Sequence, residues 1–210
     1  MAAHSELARL LEHPGIWRGT SVARTEALPT GFGALDERLP GKGWPCCGLI
    51  EILVSHFGVG ELTLLLPTLA ALTRRPMSRW CVWVAPPLEP FAPALAAHGV
   101  ILERVLVVRR PGADGTLWAF EQSLGSGACD IAMAWASRPR ARQIRRLQLA
   151  AERGRALGVL FRPWQEARES SHAALRLTLE PTARGLRIVL LKSRGGVRGS
   201  VEIVTPTAGS

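Results

Sequence analysis

The sequence predicts an α/β fold, a largely parallel sheet with helices on both faces and a C-terminal antiparallel hairpin. Three observations carry this. Between residues 49 and 161, short apolar runs rich in Val, Ile and Leu alternate with stretches of about 10–15 residues of helical period, the pattern of βαβ units. After residue 175 the pattern turns to strict alternation on either side of residues 181–185, which reads as a hairpin. The chain has 210 residues, 47% hydrophobic and 20% charged, enough to bury one sizeable core without disulfide or metal.

Each element has its own signal. Residues 5–12 read as a short helix with Leu7, Leu10 and Leu11 on one face, and residues 14–30 as irregular. A second short helix, within residues 30–36, stops at Pro40-Gly41-Lys42-Gly43, a strong breaker. Residues 49–54 form a buried strand, followed by a Gly58-Val59-Gly60 turn and a helix over 61–74. Residues 80–85 are a second strand, closed by Pro86-Pro87; 90–98 are helical and 104–108 a third strand. A helix over 116–124, a strand over 131–135, a helix over 139–153 with Pro at its first turn, and a strand over 157–161 follow. Residues 175–180 and 186–191 make the hairpin, and 201–204 add a last strand. With no repeat and no long linker, the chain divides into a docking segment (1–27), one core (28–204) and a short tail (205–210).

Composition excludes several classes. Four cysteines (Cys46, Cys47, Cys81, Cys129) show neither a CxxC pair nor histidines at ligand spacing, so no metal or disulfide framework is expected. The N-terminus has no signal-peptide pattern, and the longest apolar stretch, residues 62–72, is too short to span a membrane and contains Pro67. A cytoplasmic protein is expected. His56, His98 and His172 stand alone, Cys46 and Cys47 read as packed thiols, and Trp17, Trp44 and Trp118 as packing residues.

Residues 49–63 have the context of a phosphate-binding loop: buried strand, glycine turn, helix start. A working loop is G-x4-G-K-[ST], in which backbone N–H groups cradle phosphate, Lys reaches its oxygens and Ser/Thr holds Mg²⁺. With Gly60 as the second glycine, Ser55 stands at the first glycine position, Glu61 at the lysine and Leu62 at the metal ligand; Gly58 lies between. A cation 4 Å from phosphate gains about 4 kcal/mol at an effective dielectric near 20, and a carboxylate loses as much. No ATP and no other cofactor is therefore expected, and Glu61 reads as a first-turn acid of its own helix.

From residue 28 to 204 the order of segments resembles RecA and its relatives: a T-G-x-x-x-L-D entry, a G-x-[IL]-x-E-I strand, then the altered loop. The combination G-V-G-E-L, W-x-x-P-P, R-P-R-A-x-R-x-L-Q-L-A and L-G-x-L-F-R-P is similar to the ImuA family, degenerate RecA-like proteins of bacterial SOS mutagenesis. The resemblance implies a RecA-like P-loop NTPase core with a degenerate ATPase site, and a non-enzymatic adaptor in translesion DNA synthesis. The implied partners are ImuB (a Y-family-like polymerase), an error-prone C-family polymerase, RecA and single-stranded DNA, with nucleoid association on induction. The RecA catalytic glutamate position falls at Ala85-Pro86-Pro87, with Glu89 displaced, and the metal-binding aspartate position lies within Met133-Ala134-Trp135, with Asp130 at the wrong end. Lys192 and Arg194 match cations that reach across a RecA filament interface. Two alternatives stay open: an SOS cell-division inhibitor like SulA, which shares the degenerate architecture, and a residual DNA-dependent ATPase.

Charge points to a contact surface. Against 17 acids stand 26 basic residues, 24 of them arginine since Lys42 and Lys192 are the only lysines, and the net charge is +9. Residues 138–169 carry net +6 and residues 184–198 net +5, so the rest of the chain is slightly acidic. Arg138, Arg142, Arg145, Arg146, Arg153, Arg162 and Trp164 are candidate DNA contacts, guanidinium groups for phosphate and an indole for stacking. Lys192, Arg194 and Arg198 are candidate interface residues. The same arginines suit an acidic protein equally well.

Overall fold

A computed structural model describes residues 26–109, 113–193 and 198–205. The expected helix at 5–12, Trp17 and Arg194 lie outside them, as do most of the docking segment and the tail.

The main sheet has eight strands: β3 (Gly48–Val54), β4 (Trp80–Val84), β5 (Val105–Val108), β6 (Cys129–Trp135), β7 (Leu157–Pro163), β8 (Leu175–Thr182), β9 (Gly185–Ser193) and β10 (Gly199–Val204). Their order is β10-β9-β8-β3-β7-β6-β4-β5. Six strands, β8 through β5 in that order, are mutually parallel. β9 and β10 are added antiparallel, so the sheet is mixed. A separate two-stranded ribbon joins β1 (Ala27–Leu28) to β2 (Trp44–Pro45).

Helices cover both faces because strands of a central parallel sheet are apolar on both sides. All seven residues of β3, and all seven of β6, are buried. On one face Ile50, Ile52 and Val54 of β3 and Ile131, Met133 and Trp135 of β6 pack with Leu66, Leu69 and Leu72 of α2 (Leu66–Thr73) and Leu35 of α1 (Gly33–Asp36). The short α3 (Ala92–Ala97) adds Leu95 to the same core. On the other face Leu49, Ala132, Ala134 and Leu160 meet Phe120 and Leu124 of α4 (Ala113–Gly125) and Ile144, Leu147 and Ala151 of α5 (Ala141–Gly154). Gln148 of α5 fastens this layer: its Oε1 accepts from the N–H of Leu49 at 2.9 Å and of Ala174 at 3.1 Å.

One element differs from expectation in a way that matters. The helix expected over 61–74 begins only at Leu66, and residues 61–65 are turns. A helix running from 61 would put Pro67 in its interior, where it has no N–H to donate and its ring meets the preceding turn; at the second position it costs nothing. Glu61 is therefore not a first-turn helix acid. The loop after β3 does not run into a helix N-terminus as a phosphate-binding loop must. The RecA-like P-loop NTPase core expected from the sequence is corrected on this ground.

Candidate functional site

Parallel pairing places the C-terminal ends of β3, β4, β6 and β7 on one edge of the sheet, where open α/β sheets bind their ligands. Four connections meet there: residues 55–65, 85–91, 136–140 and 164–170.

In the first, Gly58 (φ +95°) and Gly60 (φ +103°) adopt left-handed conformations that glycine reaches without strain. The chain thereby turns Glu61 back on itself. Both carboxylate oxygens accept from the Gly58 N–H, at 2.9 and 3.0 Å, and the side chain is only 3% exposed. The residue at the lysine position thus brings an anion onto the loop's own donor. Leu62 packs into the core, and Ser55 is exposed with its Oγ 3.1 Å from His56 Nδ1. Between this loop and Pro86, Pro87 and Leu88 lies a cavity of about 180 Å³ walled by Trp83 and Trp135. Trp135 stacks on Phe161 with ring centroids 4.8 Å apart, an apolar floor.

At the same edge, on the α5 face, is a buried ion network. Glu51 of β3 pairs through Oε1 with Arg162 of β7 and through Oε2 with Arg176 Nε of β8, at 2.6 Å. Arg162 is also paired with Glu166, and with Glu169 at 2.9 Å; Arg176 donates to the Glu166 carbonyl at 3.0 Å. Burial works to lower the Arg162 pKa, but the Glu51 and Glu166 carboxylates outweigh it and raise it, so the guanidinium stays charged. Glu166 Oε1 accepts from the backbone N–H of Arg138 at 2.9 Å. That bond holds Arg138 at φ +54°, a conformation non-glycine residues seldom adopt. The network thus sets the shape of two neighbouring loops. A groove of about 710 Å³ opens between them, lined among others by Arg138, Arg140, Ile144, Gln165 and Ser170.

These contacts sort the residues expected to meet DNA. Arg162 is 1% exposed and committed to three carboxylates, so it cannot reach a phosphate; its candidacy is withdrawn. Arg146 is held by Glu121 in a two-pronged pair at 2.8 and 3.0 Å. Arg138, Arg142, Arg145 and Arg153 are exposed, and Trp164 is 52% exposed. Lys192 Nζ donates to the Ser171 carbonyl at 2.7 Å, tying the hairpin to the preceding loop, and Arg198 is exposed. Asp130 is engaged by Arg79 at 2.8 and 2.9 Å, and Glu89 by Arg109. Sequence reasoning passed over Glu51, Glu166 and Arg176. For Glu51 and Arg176 the signal was present, a charge inside an apolar strand, since a buried charge is retained only when paired; Glu166 lies in the short helical turn after β7, where no apolar run marks it.

The architecture defines a class: an α/β protein with a mixed sheet whose phosphate-type loop is filled by its own carboxylate. The family model described as "Cell division inhibitor SulA" matches residues 48–158, from β3 into β7. SulA of Edwardsiella piscicida is 34% identical over 132 residues, 59% of this chain and 78% of that one. SulA of Photorhabdus laumondii is 31% identical over 102 residues (49% and 58%), and that of Yersinia pestis 30% over 124 (57% and 73%). The crystal structure of SulA from Pseudomonas aeruginosa aligns with TM-score 0.46 at 25% identity, covering 54% of this chain and 97% of that one. The chain belongs to the SulA family.

That membership overturns the ImuA resemblance and what hung on it. The core is a SulA-type mixed sheet with helices, not a RecA-like P-loop NTPase core. The translesion-synthesis role and the polymerase partners it implied, ImuB and the C-family polymerase, fall with that resemblance. The motifs misled because segment order and defects in a shared loop do not separate two families that carry both. Among the described residues no helix is long and apolar enough to cross a membrane.

Proposed function

We propose that this protein is an SOS-type inhibitor of bacterial cell division, acting in the cytoplasm by binding the division GTPase FtsZ and catalysing nothing. The observation that carries this is the family match across residues 48–158, which takes in three of the four connections at the ligand edge. The loop supports a role without nucleotide. A phosphate beside the Glu61 carboxylate would meet a like charge, worth about 4 kcal/mol against it at 4 Å and effective dielectric near 20. The loop's own donor is already satisfied. Inhibition is then stoichiometric.

The test is expression in a rod-shaped bacterium, together with sedimentation of purified FtsZ polymer. Filamentous cells, polymer lost in proportion to added protein, and no phosphate released by the protein alone are expected. Normal division at high soluble expression with unchanged polymer overturns the proposal.

A further inference from the structure

The arginines at the start of α5 are not absorbed by the division-inhibitor reading. Arg138, Arg140, Arg142 and Arg145 are all exposed, and among the described residues none has an acidic partner. Their neighbours differ: Arg146 is taken by Glu121 and Arg162 by the buried network. These four cations form one exposed cluster at the start of α5, where the groove of about 710 Å³ opens.

Along the helix Arg142, Arg145 and Leu149 follow at spacings of three and four, one face, and Leu149 is 54% exposed. Pro139 and Ile144 give the groove apolar wall, while Gln165 and Ser170 give it hydrogen-bonding groups. The Glu51–Arg162–Glu166 network, ending on the Arg138 N–H, holds both walls in place without spending the rim arginines.

We propose that this groove, with the arginine face of α5 that continues from it, is a docking site for an acidic, carboxylate-bearing segment of a protein partner. Charge complementarity selects the occupant. The chain's own residues 1–25 carry three arginines against two glutamates, so they are not its complement. A phosphodiester track fits less well than a peptide. A peptide offers N–H groups to Glu169, half exposed at the groove, and apolar side chains to the exposed Leu149, neither of which a phosphodiester backbone supplies. The site is independent of the FtsZ proposal and stands or falls separately.

The probe is a fluorescein-labelled peptide of alternating Glu-Glu-Leu triplets, its anisotropy titrated with the full chain. Its Lys-Lys-Leu counterpart and an oligothymidylate of matched charge are titrated beside it. The acidic peptide is expected to bind tightest. Arg140→Glu/Arg142→Glu/Arg145→Glu should weaken it about tenfold or more, while Arg75→Glu/Arg104→Glu/Arg198→Glu, elsewhere on the surface with the same change in net charge, should weaken it far less. Circular dichroism verifies folding of both variants, and the first should gain affinity for the lysine peptide. Equal loss in the two variants, or no binding of the acidic peptide, overturns the proposal. Tighter oligothymidylate binding through the same three arginines overturns it in favour of nucleic acid.

Discussion

Glu61 is the residue on which the ligand edge turns, because one side chain both closes the loop and fills it. Removing it as Glu61→Ala leaves the N–H of the exposed Gly58 to water, so the loss is the net worth of the contact, about 1 kcal/mol. Urea unfolding should report that loss as a lower midpoint. Glu61→Gln keeps an acceptor oxygen, so its loss should be the smaller of the two. An alanine variant as stable as the parent would mean the contact holds nothing. Glu51 and Arg162 show the other side of residue-scale reasoning. Each was visible in the sequence as a lone charge in an apolar strand, but which charges pair depends on β3, β7 and β8 lying side by side in register.

Among the elements, α4 and α5 pack so closely that their glycines decide the distance. A Cβ on Gly154 would overlap the Leu124 carbonyl of α4, and one on Gly158 of β7 would press on Leu124 and Leu49 at 3.1 Å. Gly154→Ala should therefore destabilise by about 1–3 kcal/mol, the usual effect of overpacking. Gly33→Ala is the contrast: nothing lies within 4 Å of its Cβ and the residue is helical, so a gain of about 0.4–1 kcal/mol is expected. Denaturant midpoints of opposite sign would bear out the pair; equal midpoints would refute the tight α4–α5 contact. Strand and helix positions were largely legible because apolar runs, breakers and alternation are local signals. The start of α2 was not, since the periodicity of 61–74 concealed the effect of Pro67.

For the molecule as a whole, alkaline stability has an unusually simple source. The chain has no tyrosine and two lysines, so titration just above pH 9 falls mainly on cysteines. Burial, followed by the nearby Asp130, pushes the Cys81 thiol up from 9.0 to about 12. Burial also lifts Cys129 to about 11, against the lowering effect of Arg79. A group whose pKa is raised on folding contributes stability that is complete below its unfolded value and lost as pH climbs through the folded one. Stability should hold to about pH 9 and fall from there toward pH 11–12. Cys81→Ala should flatten that slope in urea midpoints taken from pH 7 to 10.5, and an unchanged slope would assign the loss to other groups.

By itself the sequence determined where the strands and helices lie, that the phosphate-type loop lacks its lysine, and that positive charge gathers in two segments. These are local properties, read from spacing and residue type. Only the tertiary structure decided that the loop is closed by Glu61, that Arg162 is walled in by carboxylates, and that Arg138 and Arg140 line one groove with no ion pair among the described residues. Each of those outcomes depends on which distant groups come within a few ångströms of one another. Burial then converts that proximity into a pairing the chain cannot forgo, because an unpaired charge or donor in the interior costs more than the contact is worth in water.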